Sequence, residues 1–182
     1  FSQWLQAANP DVICLQEIKA TEDQIDQDIY KNLGYHCYWY PAEKKGYSGT
    51  AILSKTKPDT IVKGCGIAYA DAEGRVIRAD FGKLSVFSTY FPSGSSGDIR
   101  QTIKMQFLSD FQEFINQFKK DHPNLIINGD VNICHKPIDI HDPIRNATSS
   151  GFLPEEREWV TQFLESGFVD CFREFNHQPH QY

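Results

Sequence analysis

The feature that most constrains this chain is a series of short apolar runs, each closing on a polar side chain and set between segments of helical periodicity. Val12-Ile13-Cys14-Leu15-Gln16 closes on Glu17, residues 84–91 carry Tyr90 at their end, and residues 125–128 lead into Gly129-Asp130 and then Asn132. Runs of this length and composition read as strands, as do residues 35–40, Thr50–Ser54 and Val76–Phe81 between Gly-rich and charged turns. The run at 125–128 reads as a buried strand.

Helical patterns fall between them. Phe1, Trp4, Leu5 and Ala8 share a face before Asn9-Pro10, and residues 21–33 open on Thr21, Glu22 and Asp23 and carry Ile25, Ile29 and Leu33 up to Gly34. Residues 98–120 predict a long helix with Ile103, Phe107, Phe111, Phe114, Ile115 and Phe118 on one stripe, and Pro154-Glu155-Glu156 starts another that stops at Gly167. The 131–151 segment between these helices is long for a structureless connection, which marks a functional loop.

A chain of 182 residues that is 40% hydrophobic and 13% aromatic can bury a core of its own, and one domain is expected. A net charge of -6 excludes a surface coated in positive potential, so any polyanion must be met locally. Lys44, Lys45, Arg75, Arg100 and Lys104 supply a local basic set with Tyr47 among them. The five cysteines are scattered and form no C-x-x-C pair, which predicts reduced, mostly buried thiols. The first residues lack the basic start and apolar stretch of a signal peptide, and no apolar run is long enough to cross a bilayer, so a cytoplasmic protein without a membrane partner is expected.

Taken by themselves, strand ends on one sheet edge would bring Glu17, Tyr90, Asp130 and Asn132 together. Carboxylates with carboxamide oxygens are hard ligands that suit Mg²⁺ or Mn²⁺, and a metal so held can neutralise a phosphate oxygen under attack. Each residue alone also reads as a solvated strand-end polar group. His177 with His180, and Cys134 with His135, make poor ligand pairs.

Five ordered motifs make the chain similar to a known family. Leu15-Gln16-Glu17-Ile18-Lys19, Lys45-Gly46-Tyr47-Ser48-Gly49-Thr50-Ala51, Glu73-Gly74-Arg75-Val76, Tyr90-Phe91-Pro92-Ser93-Gly94 and Gly129-Asp130-Val131-Asn132-Ile133-Cys134-His135 resemble those of the exodeoxyribonuclease III and abasic-site endonuclease family. The resemblance implies an α/β fold, a four-layer sandwich of two mixed β-sheets flanked by helices, with residues 1–182 as one incomplete domain. It implies Mg²⁺- or Mn²⁺-dependent hydrolysis of DNA phosphodiesters, as 3′–5′ exonuclease and as incision 5′ to abasic sites in duplex DNA, by a monomer.

Residue by residue, it makes Glu17 a metal ligand joined by Asp130 and Asn132. Asp130 handles the proton of the attacking water or of the leaving oxygen, Asn132 hydrogen-bonds the aspartate and the phosphate, and Tyr90 contacts the phosphate. Tyr47, Arg75, Arg100 and Asn146 fall where the family contacts DNA. Ser96 and Ser149 depart from the arginine and asparagine that relatives can carry there. The family's first strand and its C-terminal portion, with a metal-binding acid and the catalytic histidine, have no counterpart, so the chain alone is expected to be inactive. Two other readings stay open: another phosphodiesterase or phosphatase of the same superfamily, and an inactive fragment.

Overall fold

The computed structural model describes residues 1–179 and 181; His180 lies outside them. The chain forms two compact units, Phe1–Tyr90 with Gln117–Asp130, and Phe91–Asn116 with Val131–Tyr182.

The first unit contains two sheets. Strands β1 (Val12–Gln16), β2 (His36–Tyr40) and β3 (Thr50–Ser54) form a 3-stranded antiparallel sheet in the order β1-β3-β2, with Gln16 opposite Thr50 and Tyr40 opposite Thr50. Strands β4 (Thr60–Lys63), β5 (Val76–Phe81), β6 (Leu84–Tyr90) and β7 (Asn124–Asp130) form a 4-stranded sheet in sequence order, antiparallel except for the parallel β6–β7 pair. Because strand side chains alternate faces, Ile52, Ile77 and Ala79 meet between the sheets with Val12, Cys14, Tyr38 and Ile61. Leu53, Ala51, Ile13, Trp39 and Tyr35 point the other way and pack with Leu5 of helix α1 (Ser2–Ala8).

The short α2 (Asp28–Lys31) and α3 (Ala68–Asp71) complete this unit. The single helix expected over residues 21–33 is broken. A 3-10 turn at Glu22–Gln24 ends at Ile25, which is extended, and Asp26 Oδ1 accepts from the Asp28 amide at 3.2 Å. Local side-chain acceptors outcompete the helix ladder here, and the extended Ile25 joins Tyr30 and Leu33 on the core. In α1 only Leu5 of the expected apolar face is buried; Phe1 and Trp4 stay more than half exposed.

Strand β7 also departs from expectation. It is the sheet's edge, hydrogen-bonded on one side only among the described residues, and Ile126 is 50% exposed. An apolar run carries no information about whether its faces will be covered. The cysteines are all free; Cys14, Cys37, Cys65 and Cys134 are half-buried, and Cys171 is exposed. Burial pushes the Cys14 thiol up to about 11.

The second unit is built on all but the last two residues of helix α4 (Asp98–Phe118), on α5 (Pro154–Glu165) and on the short α6 (Cys171–Phe175). Phe107, Leu108, Phe111 and Ile115 of α4 are fully buried at helical spacing, and Phe91 stacks edge-on against Phe107 and Phe111 at 4.9 Å and Trp159 at 5.7 Å. Trp159 satisfies its indole by donating Nε1–H to the Leu108 carbonyl at 2.9 Å.

Candidate active site

In the first unit three strand ends place three polar groups. Gln16 Nε2 donates to Ser88 Oγ at 3.1 Å, and Ser88 Oγ donates to the Leu15 carbonyl at 3.1 Å, which ties the end of β1 to β6. The chain then turns sharply: Glu17 and Lys19 have φ of 51° and 48°, and the Ile18 and Lys19 amides bond the carbonyls of Gly49 and Ser48. Left-handed backbone at non-glycine residues costs energy and is held by its surroundings. Here it sets the Glu17 carboxylate near the Tyr90 hydroxyl, close enough for each to shift the other's titration.

Asp130 arrives by strand pairing. Tyr90 and Asp130 are register partners at the ends of the parallel β6 and β7, so their side chains share a face. The pairing reaches that far because residue 129 is glycine: a Cβ there would lie 1.9 Å from the Thr89 carbonyl oxygen.

Arg75, which the resemblance puts among the DNA-contacting residues, is 1% exposed and has no face to offer a phosphate. Its Nε donates to Glu73 Oε2 at 2.6 Å, Nη1 to the Tyr90 carbonyl at 2.7 Å and Nη2 to Tyr47 Oη at 3.3 Å, and the guanidinium lies 5.0 Å from the Tyr90 ring centroid. A buried guanidinium must find partners, and these partners make it the part that orients Tyr47 and Tyr90. Gly74, just before Arg75, lets the chain pass close to the end of β2, since a Cβ at 74 would meet the Tyr40 carbonyl at 2.5 Å. Tyr47 is half-buried, with Lys44 Nζ 5.3 Å from its ring centroid.

The charges follow from this geometry. Lys19 Nζ lies 2.5 Å from Glu17 Oε2, and chiefly this contact, with help from the Tyr90 hydroxyl and Arg75, holds the Glu17 carboxyl below the usual range. Burial, then the Glu17 carboxylate and Asp130, push the Tyr90 hydroxyl up to about 12 against the pull of Arg75. Tyr90 is therefore a neutral hydrogen-bond donor at any physiological pH. Glu17 is an anion that already carries a cation.

That cation bears on a metal. Among the described residues no three His, Cys, Asp or Glu side chains cluster as a closed metal site would need. An ion that keeps several waters needs only one or two carboxylates, and the Glu17 carboxylate, 40% exposed with the Lys19 ammonium against it, is chemically suited to such an ion.

In the second unit Asn132 has φ 53° and donates Nδ2–H to the Phe91 carbonyl at 2.9 Å. Arg100 is half-buried in the first turn of α4. Asn146 donates its amide to the carbonyls of His141 at 2.8 Å and Asp142 at 3.1 Å, which shapes its own loop. Lys104 leaves the basic set altogether: it is fully buried and paired with Glu156 at 2.6 Å. Sequence reasoning missed this pair, although a lysine three residues before Phe107 on a buried stripe is its signal. It also gave Lys19 and Glu73 no separate role, although both lie inside the quoted motifs.

These features define a class of fold and site, and comparison with known proteins agrees. The family described as Endonuclease/Exonuclease/phosphatase matches residues 1–178, and the chain belongs to it. It is 40% identical over 173 residues to the exodeoxyribonuclease of Bacillus subtilis (strain 168), covering 95% of this chain and 67% of that protein. It is also 40% identical to DNA repair nuclease APEX1 of Danio rerio, over 94% of this chain and 56% of that protein. Among solved structures, an AP endonuclease from Archaeoglobus fulgidus superposes with a TM-score of 0.87 at 28% identity, covering 95% of this chain and 66% of that one. The chain thus spans between about half and two thirds of the length of these relatives.

Proposed function

We propose that the protein is a DNA-repair nuclease that hydrolyses phosphodiesters of duplex DNA, removing nucleotides from 3′ ends and incising 5′ to abasic sites. The observation that carries this reading is the meeting of Glu17, Tyr90 and Asp130 at the ends of β1, β6 and β7, in a chain whose relatives are named as DNA nucleases.

Glu17 would hold a divalent cation, Mg²⁺ or Mn²⁺, with oxygens of Asp130 and Asn132 as further donors; the ion would supply positive charge to a phosphate oxygen as the bond to phosphorus is made and broken. Tyr90 stays protonated and donates to a phosphate oxygen, a hydrogen bond that strengthens as negative charge builds. Asp130, exposed at the strand end, handles the proton of the attacking water or the leaving oxygen. Asn132, two residues further along the chain, contributes its carboxamide to the phosphate. Tyr47, with Lys44 over its ring, and Arg100 meet the DNA backbone, whereas Arg75 and Asn146 act by positioning.

The test uses the full-length protein on a duplex with one abasic site, with Mg²⁺ or with EDTA, beside an inositol phosphate under the same conditions. Incision that EDTA abolishes, with the inositol phosphate untouched, is expected. Phosphate release without incision would replace the nuclease reading with the phosphatase reading open to the same family.

A further inference from the structure

The chemistry proposed above makes no use of the one fully buried ion pair among the described ion pairs, Lys104 with Glu156 in the second unit. Buried pairs are poor stabilisers, because desolvating two charges offsets much of their attraction. What the charges touch is therefore more informative than their presence.

Lys104 Nζ bonds Glu156 Oε1 at 2.6 Å and also donates to the backbone carbonyl of Asn132 at 2.8 Å. Glu156 shares Oε1 with Gln101 Nε2 at 3.0 Å, and its Oε2 accepts the amides of Gly151 at 2.6 Å and Leu153 at 3.0 Å. The Gly151 carbonyl in turn accepts from the Cys134 amide at 2.8 Å, so both ends of the loop that follows Asn132 run back to one carboxylate. Asn132 itself sits in left-handed backbone, and its side-chain amide is bound to the carbonyl of Phe91, a residue locked among Phe107, Phe111 and Trp159.

We propose that the Lys104–Glu156 pair is the positioning device for Asn132. The ammonium grips the carbonyl of a residue in a sparsely populated conformation while the Phe91 carbonyl grips its side chain, and the two together leave the carboxamide a single orientation. The pair is charged because an ammonium can hold that carbonyl and a carboxylate at once, and a carboxylate can hold two loop amides and the ammonium at once. The inference rests on the reading that Asn132 serves the nuclease site.

The test is K104M/E156Q in the full-length protein. The double variant removes both buried charges, keeps side-chain length, and leaves a carbonyl at 156 for the Gly151 and Leu153 amides; either single change would strand a buried charge. Expected are cooperative urea unfolding, displaced ¹⁵N–¹H signals of the Asn132 backbone and side-chain amides, and kcat on an abasic duplex lower by about tenfold or more with KM within about twofold. In the wild-type protein the Lys104 ammonium should give a slowly exchanging ¹⁵N–¹H signal coupled through its hydrogen bond to the Asn132 carbonyl carbon, a measurement that needs no variant. Absence of that coupling, Asn132 signals at wild-type positions in the folded double variant, or wild-type kcat despite displaced signals would each overturn the proposal. Absence of incision by the wild-type protein would sink the nuclease reading alone, with the Asn132 signals still deciding whether the pair positions that residue.

Discussion

Gly129→Ala probes how Asp130 is delivered. The Cβ it adds would lie 1.9 Å from the Thr89 carbonyl oxygen and 2.6 Å from Thr89 Oγ1, in backbone with φ 155° that side chains rarely adopt. Contacts under 3.0 Å are essentially never made by real Cβ atoms, so the ends of β6 and β7 must part by about 1.1 Å. The nearest obstacle is backbone, which cannot rotate aside. Forcing one methyl into such a place costs about 1–3 kcal/mol. With a urea m-value of about 2 kcal/mol/M the midpoint should fall by about 0.5–1.5 M. The displacement lands on the neighbour, Asp130, and a misplacement of about 1 Å can cost about a hundredfold in rate. The assay is urea unfolding of the full-length variant together with single-turnover incision of an abasic duplex, and amide exchange on β7 should locate the loosening at the Thr89–Gly129 pairing. A variant with the wild-type midpoint and the wild-type rate would refute the argument that this close approach sets the site.

Further outcomes are expected. Asp130→Asn should lower turnover by several orders of magnitude with duplex affinity nearly unchanged in a filter-binding assay, since it removes proton handling and keeps shape; a retained rate would assign the proton to another group. Tyr90→Phe should slow the single-turnover rate by about tenfold or more without weakening binding, because it deletes the hydroxyl proposed to donate to the phosphate oxygen beside Glu17. Arg100→Ala should do the reverse, weakening binding and reducing the salt slope of affinity by about one, and an unchanged slope would remove Arg100 from the DNA face. Because Lys19 depresses the Glu17 pKa in the folded state, the stability Glu17 contributes is fully present above its unfolded pKa of about 4.3 and is lost as pH falls through the depressed folded value. Lys19→Met should raise the Glu17 midpoint in a ¹³C carboxyl titration, and a midpoint that stays put would mean that another group holds the charge.

Much of this was legible along the chain because period-2 and period-3.6 patterns are local. Strands β1, β3 and β5 fall where apolar runs predict them, and α4 follows its Phe stripe, since each segment's own alternation decides which face it can bury. The polar strand ends were equally visible, and so was the family, through five motifs in order. What escaped were elements with weak or conflicting local signals: Thr60–Lys63 and Cys171–Phe175 are too short to show a period, and residues 21–33 have helical spacing that Asp26 and the extended Ile25 overrule.

Partners were beyond the sequence altogether. Arg75 and Lys104 read there as two more basic groups available to a phosphate, and only the folded chain shows the first clasped by Glu73, Tyr47 and Tyr90 and the second sealed against Glu156. The same holds for β7, whose apolar run left open whether it would be covered, and for Lys19, whose charge matters only because a left-handed turn folds it back onto Glu17. Residue type and spacing determine which elements form and which chemistry a chain can offer, because those are properties of neighbours along the backbone. Burial and pairing join residues far apart in sequence, and they decide which of two identical charges faces a substrate and which is consumed in holding the site.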